Sequence, residues 1–252
     1  MIMKHKSLII TLLTILALLS SCKKVPLSVG KTVVQQRELA SFSHLTVNDD
    51  INVTLVRSDS CFIEITAGEN IIGNIATEVR NDTLIIRNEN EIGWIRTYDY
   101  RIDAILHFRD ISSLTYRSCG ELHTRNQFNA EDTPYLIYID GGSGDIFMDF
   151  NRCSNLRVNY NYGTSQLNLT GNGNRFLDIY KRSYGLIHAK NLVADSVSIT
   201  NAGTGDCWIN ASRHLHSRIY HLGNIYYKGE PADIIEEYGE EAKGRLIKVE
   251  SL

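Results

Sequence analysis

From residue 111 onward, short stretches of alternating apolar and polar residues recur at a nearly constant interval. Each is preceded by one short phrase: a small or polar residue, any residue, glycine, a usually polar residue, then an apolar one. It reads Ser118-Cys119-Gly120-Glu121-Leu122, then Gly142-Ser143-Gly144-Asp145-Ile146. A degenerate copy, Gly163-Thr164-Ser165-Gln166-Leu167, carries serine at the anchor. Ser183-Tyr184-Gly185-Leu186-Ile187, Gly203-Thr204-Gly205-Asp206-Cys207 and His221-Leu222-Gly223-Asn224-Ile225 complete the series. The anchors at 120, 144, 165, 185, 205 and 223 are separated by 24, 21, 20, 20 and 18 residues.

Strand side chains alternate between faces, so the pattern predicts two inward columns after each anchor. The first holds Leu122, Ile146, Leu167, Ile187, Cys207 and Ile225. The second holds Thr124, Met148, Leu169, Ala189, Ile209 and Tyr227. Further strands precede the anchors, as at 114–116, 136–138, 156–158, 177–179, 197–199 and 215–219. About 20 residues holding two or three short strands is one coil of a solenoid, and a coil buries its apolar face only against its neighbours. The predicted fold is therefore all-β, a parallel β-helix-like solenoid over 111–235. A β-sandwich of hairpins is the competing architecture, and constant spacing favours the solenoid. Anchor glycines suit a corner with positive φ, or one where backbones approach closely.

Residues 36–110 alternate as strands but carry no clear copy of the phrase, and are expected to close one end as irregular coils. A turn at Asn81-Asp82 joins two of these strands. Residues 236–252, with Glu236, Glu237, Glu240 and Glu241, are expected to cover the other end as a solvated cap.

The first residues read differently. Lys4 and Lys6 precede a run from Leu8 to Leu19 that is almost wholly apolar. At about a dozen residues the run is too short for the roughly 20 that span a bilayer, and it reads as a secretory signal. It ends in Leu19-Ser20-Ser21-Cys22, which resembles the lipobox of bacterial lipoproteins. That resemblance implies cleavage after residue 21, acylation of Cys22, and a tether over 22–35. Lys23, rather than aspartate, implies transfer to the outer membrane. The tether lacks an acidic cluster, so a periplasm-facing position is expected.

Removing 21 residues from 252 leaves 231, and loss of Lys4 and Lys6 takes the formal charge from −3 to −5. A mildly acidic body without a basic run lacks the electrostatic footprint for nucleic acid. Cys61, Cys119, Cys153 and Cys207 permit three disulfide pairings, but none has CxxC spacing for zinc. Cys207 reads as a small buried apolar residue.

Several segments resemble a bacterial family, the auto-transporter adhesin head GIN domain. They are Phe42 to Leu55, Glu69 to Ile86, the stretch 142–146, and the closing Gly223 to Pro231. The resemblance covers roughly residues 40 to 235. It implies a right-handed parallel β-helix-like fold on lipid-anchored proteins and supplies no catalytic residue.

The expected function is a lipid-anchored, non-catalytic binding, adhesin-like or envelope-organising protein, with a glycan or an envelope protein as partner. The alternative is a carbohydrate-active β-helix enzyme, a polysaccharide lyase or glycosidase. Glycosidases set two carboxylates about 5–9.5 Å apart. Asp145 and Asp206 would lie three coils, roughly 14 Å, apart. Glu121 and Asp145 would be neighbours of uncertain register, and capping turn amides is the expected role of these corner residues. The stretch 142–145 lacks the following helix of a phosphate loop or a nucleophile elbow. No metal or cofactor is expected. Tyr160, Tyr162, Tyr180, Arg182 and Tyr184, spaced by about one coil, form the candidate ligand surface. Tyr160 and Tyr162 share parity with inward Leu156 and Val158, which favours packing for those two.

Overall fold

Strict alternation within each repeat lets every coil hydrogen-bond to the coil on either side while its apolar side chains face inward. The computed structural model describes residues 28–90, 101–130 and 134–250. Cys22 and the signal segment lie outside the described residues. Nineteen strands lie among the described residues. They begin with β1 (Thr32–Glu38), β2 (His44–Asp49), β3 (Asn52–Arg57), β4 (Phe62–Gly68), β5 (Ile75–Arg80), β6 (Thr83–Asn88) and β7 (Asp103–Phe108). β8 (Ser113–Ser118), β9 (Leu122–Thr124), β10 (Phe128–Ala130), β11 (Tyr135–Asp140), β12 (Ile146–Cys153) and β13 (Asn155–Tyr162) follow. The series ends with β14 (Leu167–Lys181), β15 (Ile187–Asn201), β16 (Cys207–Ile219), β17 (Ile225–Lys228), β18 (Asp233–Tyr238) and β19 (Leu246–Lys248).

The molecule is a β-solenoid with two long faces. Face A runs β7, β3, β9, β12, the first halves of β14, β15 and β16, then β17 and β19, all in parallel. Face B runs β6, β2, β8, β11, β13, the second halves of β14, β15 and β16, then β18. β14, β15 and β16 are each a single bent strand that turns the corner between faces.

The predicted first column exists. Leu122, Ile146, Leu167, Ile187, Cys207 and Ile225 pair in register on successive rungs, and each is fully buried. In the second column Met148, Leu169, Ala189 and Ile209 are buried, while Thr124 and Tyr227 are half-buried. The anchor glycines take no positive φ; close approach explains them. A Cβ on Gly144 would overlap the Gly120 carbonyl, and one on Gly205 the Gly185 carbonyl.

The N-terminal part departs from simple progression. β2 and β3 form a regular parallel rung, sandwiched between β6 and β7 on one side and β8 and β9 on the other. The chain thus builds outward first, then returns to continue on the opposite side. Antiparallel pairing of β1 with β4, β4 with β7 and β5 with β6 closes this end. Asn81 and Asp82, with φ of 50° and 60°, make the predicted turn between β5 and β6, as a tight hairpin with two left-handed residues requires. At the other end β18 and β19 add the last rungs, and all six β18 residues are exposed. Glu236 occupies an inward position in register with buried Ser217. An inward carboxylate on an edge strand discourages a further rung.

A polar column lines the inside of one corner. Tyr160, Lys181, Asn201 and Ile219 pair in register, and Tyr116 pairs with Ile139 on earlier rungs. Their polar ends satisfy turn carbonyls. Tyr116 Oη donates to Gly120 O, Tyr160 Oη to Ser165 O at 2.6 Å and Asn201 Nδ2 to Gly205 O at 3.0 Å. Lys181 Nζ donates to Ser183 O at 3.1 Å and Gly205 O at 2.7 Å. Burial pushes the Lys181 amine below the ordinary lysine value of 10.5. The four cysteines are free thiols. Burial drives the Cys207 thiol up to about 12, as befits its place in the first column.

Two outcomes are expected. Leu167→Ala, which empties one step of the first column, should cost about 2–5 kcal/mol in urea unfolding. Lys181→Met should change the pH dependence of stability. The folded chain releases the Lys181 proton at lower pH than the unfolded chain. Between the two values the unfolded chain therefore binds more protons, and stability rises with pH. Unfolding at neutral pH and near pH 10 should show the natural protein gaining stability relative to Lys181→Met.

Candidate binding surface

After three of the anchors the outward residue caps the next rung, and Asn52 does the same earlier in the chain. Asn52 Oδ1 accepts from Glu121 N at 2.9 Å, and Asp145 Oδ1 from Gln166 N at 2.9 Å. Asp206 Oδ1 accepts from Asn224 N at 2.7 Å, and Asn224 Oδ1 from Arg245 N at 2.9 Å. Each satisfies a corner amide, the role expected for Asp145 and Asp206; Glu121 does not take it. Leu122 pairs with Ile146, so Glu121 and Asp145 do stand on neighbouring rungs. Glu121 Oε2, however, meets His123 Nε2 at 3.0 Å.

Three residues past each anchor lies a column that sequence reasoning passed over. It comprises His123, Phe147, Asn168, His188, Trp208 and Tyr226, in register on the outside of face A. His123 stacks on Phe147 at 4.6 Å, His188 on Trp208 at 4.7 Å and Trp208 on Tyr226 at 5.1 Å. Burial lowers the His188 pKa. Aligning the repeats at this offset would have shown the stripe. Its ring faces are spent on one another, which makes it a cross-rung clamp rather than a platform.

The candidate ligand residues separate. Tyr160 is fully buried, which corrects its assignment to a ligand surface. A spacing of one coil matches it to Tyr180, 20 residues on, but the rung step here is 21. Tyr160 pairs with Lys181, and Asn159 with Tyr180. A one-residue slip exchanges faces, so Tyr160 points in and Tyr180 out. Tyr162, Tyr180 and Tyr184 are exposed by 59%, 42% and 73%. Arg182 lies over the Tyr162 ring at 4.9 Å and its Nη2 donates to Tyr162 Oη at 2.6 Å. Tyr184 stands on the corner loop beyond them, between β14 and β15.

These residues border a feature formed by three rungs of face B. Outward from β14 stand Phe176, Asp178 and Tyr180, followed by Arg182 past its end. In register on β15 are Ser196, Ser198 and Thr200, then Ala202; on β16 are His214, His216 and Arg218, then Tyr220. A rung bearing only small side chains thus lies between two whose side chains, Asp178 apart, are large. The result is a shallow trench along β15, whose first half, at Ser196 and Ser198, opens into a groove of about 770 Å3 that runs across the rungs from Asn155 to Ile235. The long nitrogen-bearing side chains of both walls are tied back. His214 Nδ1 meets Asp233 Oδ2 at 2.9 Å, and His216 Nε2 meets Glu237 Oε1 at 2.6 Å. Arg182 is held on Tyr162. Arg218 reaches Ser198 Oγ with Nη1 at 3.3 Å, while its Nη2 meets His216 Nδ1 at 2.8 Å and its Nε lies 3.7 Å from Glu237 Oε2. No cluster of three or more histidine, cysteine, aspartate or glutamate side chains suited to a metal ion occurs among the described residues.

The family model described as "Putative auto-transporter adhesin, head GIN domain" matches residues 41–231. The chain belongs to this family. The head GIN match takes in all three trench rungs and ends before β18, whose Asp233 and Glu237 hold the β16 wall. Solved structures share the fold. One from Bacteroides fragilis, described as a putative adhesin, is 19% identical, covers 87% of this chain and 97% of that one, and has a TM-score of 0.76. One from Parabacteroides distasonis, described as a putative lipid binding protein, is 17% identical, with 88% and 98% covered and a TM-score of 0.65. Another putative adhesin, from Parabacteroides merdae, is 16% identical, with 88% and 97% covered and a TM-score of 0.58. No curated protein matches the chain.

If the corner carboxylates serve the backbone of this head GIN domain, their charge is dispensable and their acceptor is not. Asp145→Asn should leave thermal stability nearly unchanged. Asp145→Ala should lose about 1 kcal/mol, the usual worth of such a hydrogen bond.

Proposed function

We propose that the chain is a non-catalytic, adhesin-like protein of the bacterial envelope that holds its ligand in the face B trench. In this reading lipid on Cys22 anchors it to the outer membrane, facing the periplasm. The carrying observation is the rung of Ser196, Ser198, Thr200 and Ala202 set between rungs of mostly large side chains. The aromatic and cationic lip of Tyr162, Tyr180, Arg182 and Tyr184 extends that surface around the corner. Membership of an adhesin family and the signal-like start through Cys22 support the placement. Among the described residues, no helix is long and apolar enough to cross a membrane. Acyl chains supply about 0.8 kcal/mol per buried methylene, so several on one residue suffice to anchor the chain.

The alternative, a polysaccharide lyase or glycosidase, requires carboxylates free to act on a substrate. Of the carboxylates near the groove, Asp233 and Glu237 meet histidines and Asp178 stands beside Ser198 rather than a second carboxylate, while Asp145 and Asp206 cap amides. This engagement supports a binding role.

Fractionation and sedimentation test the proposal. The natural chain should travel with outer membranes and resist protease added to intact cells, whereas Cys22→Ala should appear in the soluble periplasmic fraction. Purified Cys22→Ala chain, which carries no lipid, should co-sediment with an excess of isolated envelopes, and adding Ser198→Trp, which fills the trench from outside the core, should reduce this at least tenfold. Envelope binding undiminished by Ser198→Trp would overturn the trench as the binding site.

A further inference from the structure

The trench has a chemistry as well as a shape. Its floor carries three hydroxyls, from Ser196, Ser198 and Thr200, and a methyl from Ala202. Beneath them the β15 backbone is paired to β14 on one side and β16 on the other. No free strand edge is offered, so a peptide could not bind by adding a strand. A peptide lying on this floor would bring its own amides to a surface with only three hydroxyls to meet them.

Charge narrows the occupant further. Arg157, Arg182 and Arg218 around the trench face Asp178, Asp233 and Glu237. Cations and anions balance, and the whole chain is slightly acidic. Nothing here draws in a polyanion.

The rings point the same way. Phe176, Tyr180 and Tyr220 are exposed by 49%, 42% and 44%. Unlike the face A stripe, none of the three stacks on another ring among the described residues. Arg175 lies over one side of the Phe176 ring, 5.8 Å from its centroid, and the three rings still leave apolar surface beside a hydroxyl-lined floor, which suits a molecule with C–H faces and hydroxyl edges. Walls two rungs apart are separated by about 10 Å, and six residues along the strand give a length of about 20 Å. That is room for a single extended chain.

We infer that the trench binds a linear, uncharged oligosaccharide lying along β15, across the solenoid axis. Pyranose C–H faces pack on Phe176 and Tyr180, and ring hydroxyls meet Ser196, Ser198, Thr200 and the Arg218 guanidinium. This rests on the trench being the binding site, as proposed above, and adds the class of its ligand.

Calorimetric titration of the full chain, in a detergent without a sugar headgroup, tests it. The probes are the hexaoses of cellulose, xylan, mannan and chitin, with hexagalacturonate and an uncharged extended peptide as counter-probes. At least one neutral hexaose should bind. Phe176→Ala with Tyr180→Ala should weaken it at least tenfold, and Ser198→Trp should abolish it. Phe147→Ala, on face A, should leave it unchanged. The inference is overturned if no neutral hexaose binds, if hexagalacturonate or the peptide binds more tightly, or if binding survives Ser198→Trp. Envelope sedimentation separates the two claims. Trench-dependent sedimentation without hexaose binding refutes the ligand class alone, whereas sedimentation indifferent to Ser198→Trp refutes the site itself.

Discussion

Register between parallel rungs governs this molecule. Each rung is hydrogen-bonded to its neighbours, so a side chain's direction is fixed by the residue it pairs with on the next rung. With a side-chain period of two, a slip of one residue would send a whole apolar column into water. The first column stays dry over six rungs because its members pair without a break. The corners enforce this alignment. Anchor glycines let successive turns lie against one another, and Asn52, Asp145, Asp206 and Asn224 each hold the amide of the following rung.

The interior of one corner shows how such a stack tolerates polar groups. Turn carbonyls facing the core would be costly if left unpaired. Tyrosine, lysine and asparagine reach them from one column, and their differing lengths suit turns of differing shape. Lys181 is the extreme case, an amine held by two carbonyls where burial opposes its charge.

On the outside, the same register makes a surface out of side-chain size. A row of large residues builds a clamp when rings meet at rung spacing, as on face A. One rung of small residues between large ones builds a trench, as on face B. Ion pairs from β16 to β18 draw the histidines off the trench, so the last rungs shape a site that lies mostly within the head GIN domain.

The recurring phrase and its spacing determined the solenoid, the inward columns and the burial of Cys207, because these follow from period two and from repetition alone. The capping role of Asp145 and Asp206 was legible for the same reason. The trench was written there too, in the alternate residues 196 to 202 against 176 to 182 and 214 to 220, but its meaning depends on which residues become neighbours. Only the tertiary structure decided that. Rung steps vary between 18 and 24 residues, and one step of 21 instead of 20 buried Tyr160 while exposing Tyr180. It also decided the placement of β2 and β3 between later strands, since pairing over long separations leaves no local mark in the chain.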